Sequence, residues 1–177
     1  MTTSTNIPLV NQTHLKTDVL EGFRRLALFR RSVNLPIATQ KGDNHTVALL
    51  KIAGQHIYGS NTSTGGLPMY TVRFVKELLK DSFGTAAHME VLKHAEADAL
   101  ITAFDKNIKA NSAVMYVDRK PCDFCGGKNF SGGSLKRLFP LVGLQELTMW
   151  APDEHGKIAC INFYSYDTGI KNKVVRF

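Results

Sequence analysis

The chain has 177 residues, 44% of them hydrophobic, with a formal net charge of +7 and a pI near 9.4. That length supports one sizeable core and is short for two, so a single domain over 1–177 is expected. No apolar stretch reaches bilayer-crossing length, and the opening MTTSTNIPLVNQTH lacks the basic start and apolar run of a secretory signal. The expectation is therefore a protein without membrane contact, cytoplasmic or delivered from the cell as part of something larger. Three cysteines, two of them three residues apart, argue against a secreted disulfide framework and for metal or redox chemistry at the close pair. The basic balance favours a polyanionic partner, because Lys and Arg that neutralise phosphates release counterions.

In chain order, Leu15, Val19, Leu20, Phe23, Leu26, Ala27 and Phe29 recur at helical spacing among arginines, which predicts a first helix within an N-terminal extension over 1–40. Pro36 and Gln40–Asp43 end it. HTVALLKIAG (45–54) and QHIYGSN (55–61) read as two strands, β1 and β2, joined as a hairpin at Gly54. A Gly-rich loop through Gly65, Gly66 and Pro68 follows, then a helix over about 71–79 and a second, Ala-rich helix from near His94 to Phe104. SAVMYVD (112–118) is short, apolar and stopped by Pro121, so it is a buried strand, β3. A helix is expected from near Cys122 to Phe139-Pro140. LQELTMW (144–150) is β4 and IACINFYSY (158–166) is β5. Only 27 residues follow Trp150, too few for a crossover helix and a parallel strand, so β4 and β5 should pair antiparallel. Strands alternating with helices predict a mixed sheet layered by helices, an α/β fold.

Two segments carry chemistry, KHAEADAL (93–100) and RKPCDFCGG (119–127). A catalytic zinc needs three protein ligands and one open position, and one imidazole with two thiolates meets that count through His94, Cys122 and Cys125. A Cys pair at the N-terminus of a helix gains thiolate character there, and Pro121 suits the entry to such a helix. Glu96, two residues past His94, is close enough to share the wall of the site and act as a proton carrier. Alone, Cys-x-x-Cys also fits half of a structural zinc site or a redox pair. A four-ligand site wants a second close pair, which Cys160, His88 and His155 do not supply. A thioredoxin-like pair would follow an early strand without an upstream H-A-E helix.

Taken together, H-A-E and P-C-D-F-C match the H-x-E…P-C-x-x-C signature of zinc base deaminases. With β3 before Pro121 and the step from His94 to Cys122, the chain resembles the cytidine deaminase-like superfamily over about 44–166, the deaminase core. It is most similar to the bacterial polymorphic-toxin deaminases, including those acting on DNA cytosines. The short strand-only tail, MYVDRKPCDFCGG and the charge point there. Free cytidine deaminases usually carry Cys where this chain has His94, and PCGxCRQ where it has PCDFCGG. The tRNA and APOBEC branches place a helix between the fourth and fifth strands.

This resemblance implies a three-layer fold with a mixed five-stranded sheet, helices on both faces and antiparallel β4–β5. It implies Zn2+ as cofactor, and Glu96 taking a proton from the attacking water and passing it to the ring nitrogen and the leaving amine. Gly59-Ser60-Asn61 is similar to a substrate-contacting G-x-N segment, which makes Asn61 a substrate contact and Asn44 a weaker one; a turn-forming role is the alternative for each. Trp150 would stack on a neighbouring base or cap the core. Phe124 would wall the pocket or pack inward, and Ala95 and Pro121, which flank the ligands, complete the substrate-binding set. Arg119, Lys120, Lys128, Lys136 and Arg137 bracket the second motif and would meet a nucleic acid if they converge. The implied activity is conversion of cytosine to uracil in DNA, single-stranded or locally opened, with RNA or a free nucleoside as the alternative substrate. A toxin of this kind implies an immunity protein as partner. The rival from another class is a non-catalytic, zinc-stabilised nucleic-acid-binding module.

Overall fold

Val47–Ile52 forms β1 and Gln55–Ser60 forms β2. Ala53 and Gly54 link them with positive φ at both positions, 48° and 74°, the two-residue turn whose twist suits a hairpin. The computed structural model describes residues 9–38, 40–61, 77, 90–125, 133–165 and 174–176. Ser112–Val117 is β3, Glu146–Pro152 is β4, Ile158–Tyr164 is β5 and Val174–Arg176 is β6. They form one mixed sheet in the order β2-β1-β3-β4-β5-β6. β3 and β4 are parallel, with Ser112 opposite Glu146, and every other pair is antiparallel. The antiparallel β4–β5 pairing follows from the short turn between Pro152 and Ile158 and matches expectation. The sixth strand was not foreseen, because three residues are too few to carry a period-two pattern.

Helices cover both faces, and the alternation along each strand divides the core accordingly. Ala48, Leu50, Ile52, Met115, Val117, Leu147, Met149, Ala151, Ile161 and Phe163 point to one side, toward the helix α2, Ala95–Asp105. Val47, Leu49, Tyr116, Trp150 and Cys160 point to the other, toward Val19 and Leu26 of α1, Leu9–Ser32. α1 is longer than its hydrophobic spacing predicted, and of that set Leu20 is 60% exposed. Its end is a Schellman motif rather than an effect of Pro36 alone. Asn34 takes φ 58°, Leu35 N–H donates to the Arg30 carbonyl at 2.8 Å, and Asn34 N–H donates to Arg31 at 3.2 Å.

Two glycines let the layers close. A β-carbon on Gly22 of α1 would strike the Tyr116 ring of β3, and one on Gly59 of β2 would strike the α2 backbone at Ala95 and Ala99. Alanines at 95, 97, 99 and 103 complement this approach, and eight of the eleven residues of α2 are buried.

One expectation needs correction. The helix expected to begin near Cys122 opens instead as a 3-10 turn, Asp123–Cys125. The next described helical residues are the short α3, Gly133–Lys136, followed by a second 3-10 turn, Phe139–Val142. Residues 126–132 lie outside the described residues, as does the Gly-rich loop at 65–68. Of the helix expected over 71–79 only Glu77 is described, and it is helical.

Candidate active site

His94 is the N-cap of α2, with extended backbone angles of φ −94° and ψ 152°. Its carbonyl accepts the first helical bond, from Asp98 N–H at 2.9 Å, and its side chain makes no capping bond. The ring turns instead toward the cysteine turn. Its Nδ1 lies 3.2 Å from Cys122 Sγ and 3.3 Å from Cys125 Sγ. The three ligating atoms all sit within 4.8 Å of one another. A tetrahedral zinc with ordinary Zn–N and Zn–S bonds sets an N···S edge of about 3.5 Å, so the spacing fits one ion gripped by all three. The donor set, one imidazole nitrogen and two sulfurs, suits the same metal.

The cysteine turn comes off β3 through Pro121, which is buried, and it closes by Cys125 N–H donating to the Cys122 carbonyl at 3.1 Å. The two sulfurs differ in proton affinity. The Cys125 thiol donates to Cys122 and, against the cost of burial, holds Cys122 down at about 4, with His94 assisting. Cys125 is pushed well above its ordinary value, first by that same bond and then by its burial and by Glu96. The pair thus shares one proton, which a cation bound to both sulfurs displaces.

Glu96 is the second residue of α2 and only 3% exposed. Burial pushes its carboxyl above the ordinary glutamate value, while its own backbone amide, and then the His94 charge, favour the anion. It shares a hydrogen bond with Cys125. A cavity of about 190 Å³ opens here, lined by Thr46, Asn61, His94, Ala95, Glu96, Lys120 and Cys122.

This cavity brings together six residues singled out in the sequence: His94, Glu96, Cys122, Asn61, Ala95 and Lys120. Asn61 is placed by the hairpin, its N–H donating to the Thr46 carbonyl at 3.3 Å and its side-chain amide to the Asn44 carbonyl at 3.0 Å. Asn44 itself is exposed and does not line the cavity. Cys125 is fully buried behind it, and Phe124 lies in the turn between the cysteines. Trp150 is elsewhere: it is 3% exposed and packs in the α1-side cluster, across the sheet from α2. Of the two roles considered for it, that placement is the core one. Cys160 is buried beside it, as expected of a small apolar side chain.

Of the described basic residues around the second motif, Lys120 alone lines the cavity. It sits 3.7 Å from Glu154 of the β4–β5 turn. Arg119 turns inward to Asp43, and Lys136 and Arg137 are half-buried. Lys128 is outside the described residues. Thr46 was missed by the sequence reading, yet the hairpin register could have supplied it. Val47 pairs with Ser60, so the residues just outside that pair, Thr46 and Asn61, must face each other.

The residues fit a zinc centre of the hydrolytic kind, with three protein ligands and a buried carboxylate on one wall. No described helix is long and apolar enough to cross a membrane. The chain matches no curated protein and no solved structure. A family model, MafB19-like deaminase, matches residues 23–163 and so takes in the second half of α1, the sheet from β1 to β5 and every residue of the cavity. The chain therefore belongs to the MafB19-like deaminases, a cytidine deaminase-like family associated with polymorphic toxins.

Proposed function

We propose that the protein is a zinc-dependent deaminase that converts cytosine to uracil in DNA, single-stranded or locally opened, and that it acts as a toxin module. The observation that carries the reading is the buried Glu96 carboxylate in one cavity wall with the His94, Cys122 and Cys125 cluster. A zinc ion held by those three side chains supplies the acidification of water that hydrolysis near neutral pH needs. Glu96 then carries protons: its carboxylate takes one from the attacking water and gives it to the ring nitrogen, then takes the second from the hydroxyl now on the ring carbon and gives it to the amine, which leaves as ammonia as the carbonyl forms. Asn61 and Thr46, which line the same cavity, orient the base and its sugar through side-chain hydrogen bonds.

A polynucleotide substrate is favoured by the net charge of +7 and by Lys120, a cation at the cavity itself, because phosphate neutralisation drives such binding. A buried site also requires the target base to leave its stack, which a single strand permits most readily. The test is incubation of the zinc-loaded protein with single-stranded deoxycytidine oligonucleotides, matched RNA and free cytidine. Cytosine-to-uracil conversion in DNA that vanishes in Glu96→Ala is the expected result. Turnover of RNA or cytidine alone would replace the substrate named here. Nucleic-acid binding without turnover, untouched by Glu96→Ala but lost with Cys122→Ala, would make the protein a zinc-stabilised binding module.

A further inference from the structure

Among the described residues four charged residues are buried, Arg30, Glu96, Asp98 and Asp118, and the Asp43 side chain is buried as well. Glu96 belongs to the cavity, and Asp98 accepts the Ser60 N–H at 2.8 Å. Arg30 and Asp118 have no part in the chemistry above, yet they join two chain segments that both line the cavity.

The first segment, residues 43–46, runs into β1. It supplies Thr46 to the cavity and the Asn44 carbonyl that holds the Asn61 side chain. The second, residues 118–122, leaves β3 and supplies Lys120 and Cys122. The β1–β3 ladder stops at Ala48 and Val117, extended only by Asp118 N–H to the Val47 carbonyl at 3.2 Å and Val47 N–H to Asp118 Oδ1 at 3.0 Å. Beyond that point an ionic cluster takes over. Arg30 Nε donates to Asp118 Oδ2 at 2.6 Å, and its Nη1 donates to Asp43 Oδ2 at 2.9 Å and to the Pro36 carbonyl at 2.7 Å. Its Nη2 donates to the His45 carbonyl. Arg119 Nη2 reaches the same Asp43, at Oδ2 (2.9 Å) and at the backbone carbonyl. The Asp43 side chain is 1% exposed, and its other oxygen accepts the His45 N–H at 3.1 Å and His45 Nδ1 at 2.8 Å.

We infer that Arg30 and Arg119, acting through Asp43, are positioning residues of the deaminase site, holding the Asn61 wall in register with the Cys122 wall. The inference rests on the deaminase reading above. A buried ion cluster contributes little stability beyond what apolar packing would give, whereas a planar guanidinium imposes fixed directions on every group that it binds. Here those groups are the carboxylates and carbonyls at the root of both walls. The β1–β2 hairpin still holds Asn61 to Thr46, but the β1–β3 ladder no longer ties that pair to the segment that carries Cys122.

The experiment uses the zinc-loaded full chain with Arg30→Lys and Arg119→Lys, each alone and combined with Asn61→Ala. Lysine keeps the charge and removes the fork. Two quantities are read: the Asn61 side-chain amide resonances, identified by their loss in Asn61→Ala, and kcat and KM on a deoxycytidine oligonucleotide. The expected result is a shift of the Asn61 resonances in both lysine variants and a loss in kcat/KM of tenfold or more. That loss should be mainly in KM and should largely disappear when Asn61 is already alanine. Folded variants with unmoved Asn61 resonances, or losses that multiply with that of Asn61→Ala, would overturn the inference. Should Arg30→Lys fail to fold, Arg119→Lys decides alone, since its side chain is 25% exposed and makes fewer bonds. An oligonucleotide left untouched by the wild-type chain sinks the substrate reading, and the resonance arm still judges the positioning role.

Discussion

A β-carbon placed on Gly59 would lie 2.5 Å from the amide nitrogen of Ala99 and closer still to the carbonyl of Ala95, so strand β2 and helix α2 meet backbone to backbone. The helix that carries His94 and Glu96 is thereby seated directly on the strand that ends at Asn61. Gly59→Ala must push the two apart, and overpacking of this kind costs about 1–3 kcal/mol. Urea denaturation should show that loss, and deamination should fall more than the surviving folded fraction explains.

Glu96→Gln should abolish turnover, with a fall of at least about 10²-fold, while one equivalent of bound zinc is retained. Because burial raises the Glu96 carboxyl above its ordinary value, its charged form costs more in the folded chain than in the unfolded one. Chelator-treated Glu96→Gln should therefore denature at a higher urea concentration than chelator-treated wild type. A lower midpoint would show the carboxylate to be stabilising in its place.

Metal uptake should release protons. Cys122, at about 4, is already a thiolate at neutral pH, whereas Cys125 retains its proton until a cation takes its place. Titration calorimetry in two buffers of different ionisation heat should detect that release, and zinc affinity should climb as pH is raised from about 5 to 8. Cys122→Ser and Cys125→Ser should each reduce affinity sharply.

Acid should unlock the Asp43 cluster. Burial on its own would raise this carboxyl, but the His45 amide and ring, Arg119 and Arg30 hold it well below the usual carboxylate range. A depressed folded-state value means that the stabilisation is complete above the unfolded value and is lost as pH falls through and below it. Stability of the wild type should decline between about pH 5 and pH 2 more steeply than that of Asp43→Asn, read as denaturation midpoints across that range.

Trp150→Ala should behave as a core deletion, costing about 3–5 kcal/mol, because the ring is 3% exposed beside Val19, Leu26 and Tyr116. Its KM for oligonucleotides should stay near the wild-type value at temperatures where the variant is folded. A raised KM without lost stability would return the ring to substrate stacking.

The metal cluster was legible because its spacing is a local constraint. His94 must cap a helix for Glu96 to follow it inward, and a two-residue gap between cysteines lets both sulfurs face one point. The sheet was legible from short β-branched and apolar runs bounded by turn formers, such as Val47–Ile52 and Ser112–Val117. Trp150 was open to the same reading, since Leu147, Met149 and Ala151 share one face and leave residue 150 on the other. The helix expected from near Cys122 came from strand–helix alternation, which does not tell a 3-10 turn such as Asp123–Cys125 from the start of an α-helix. Arg30 was hidden for a different reason: an arginine among Arg24, Arg25 and Arg31 looks like part of a solvated helix face. Only the three-dimensional convergence of Asp43 and Asp118 on its fork tells it apart.

The seating of α1 over Leu49, Tyr116 and Trp150 also bears on where this chain can be cut. A fragment begun at Asn44 would keep every zinc ligand and Glu96, and would still uncover an oily sheet face while stranding Asp118 without its guanidinium. Such a trimmed version should precipitate or scavenge a foreign surface, so any excised working unit has to keep α1 from Leu15 onward.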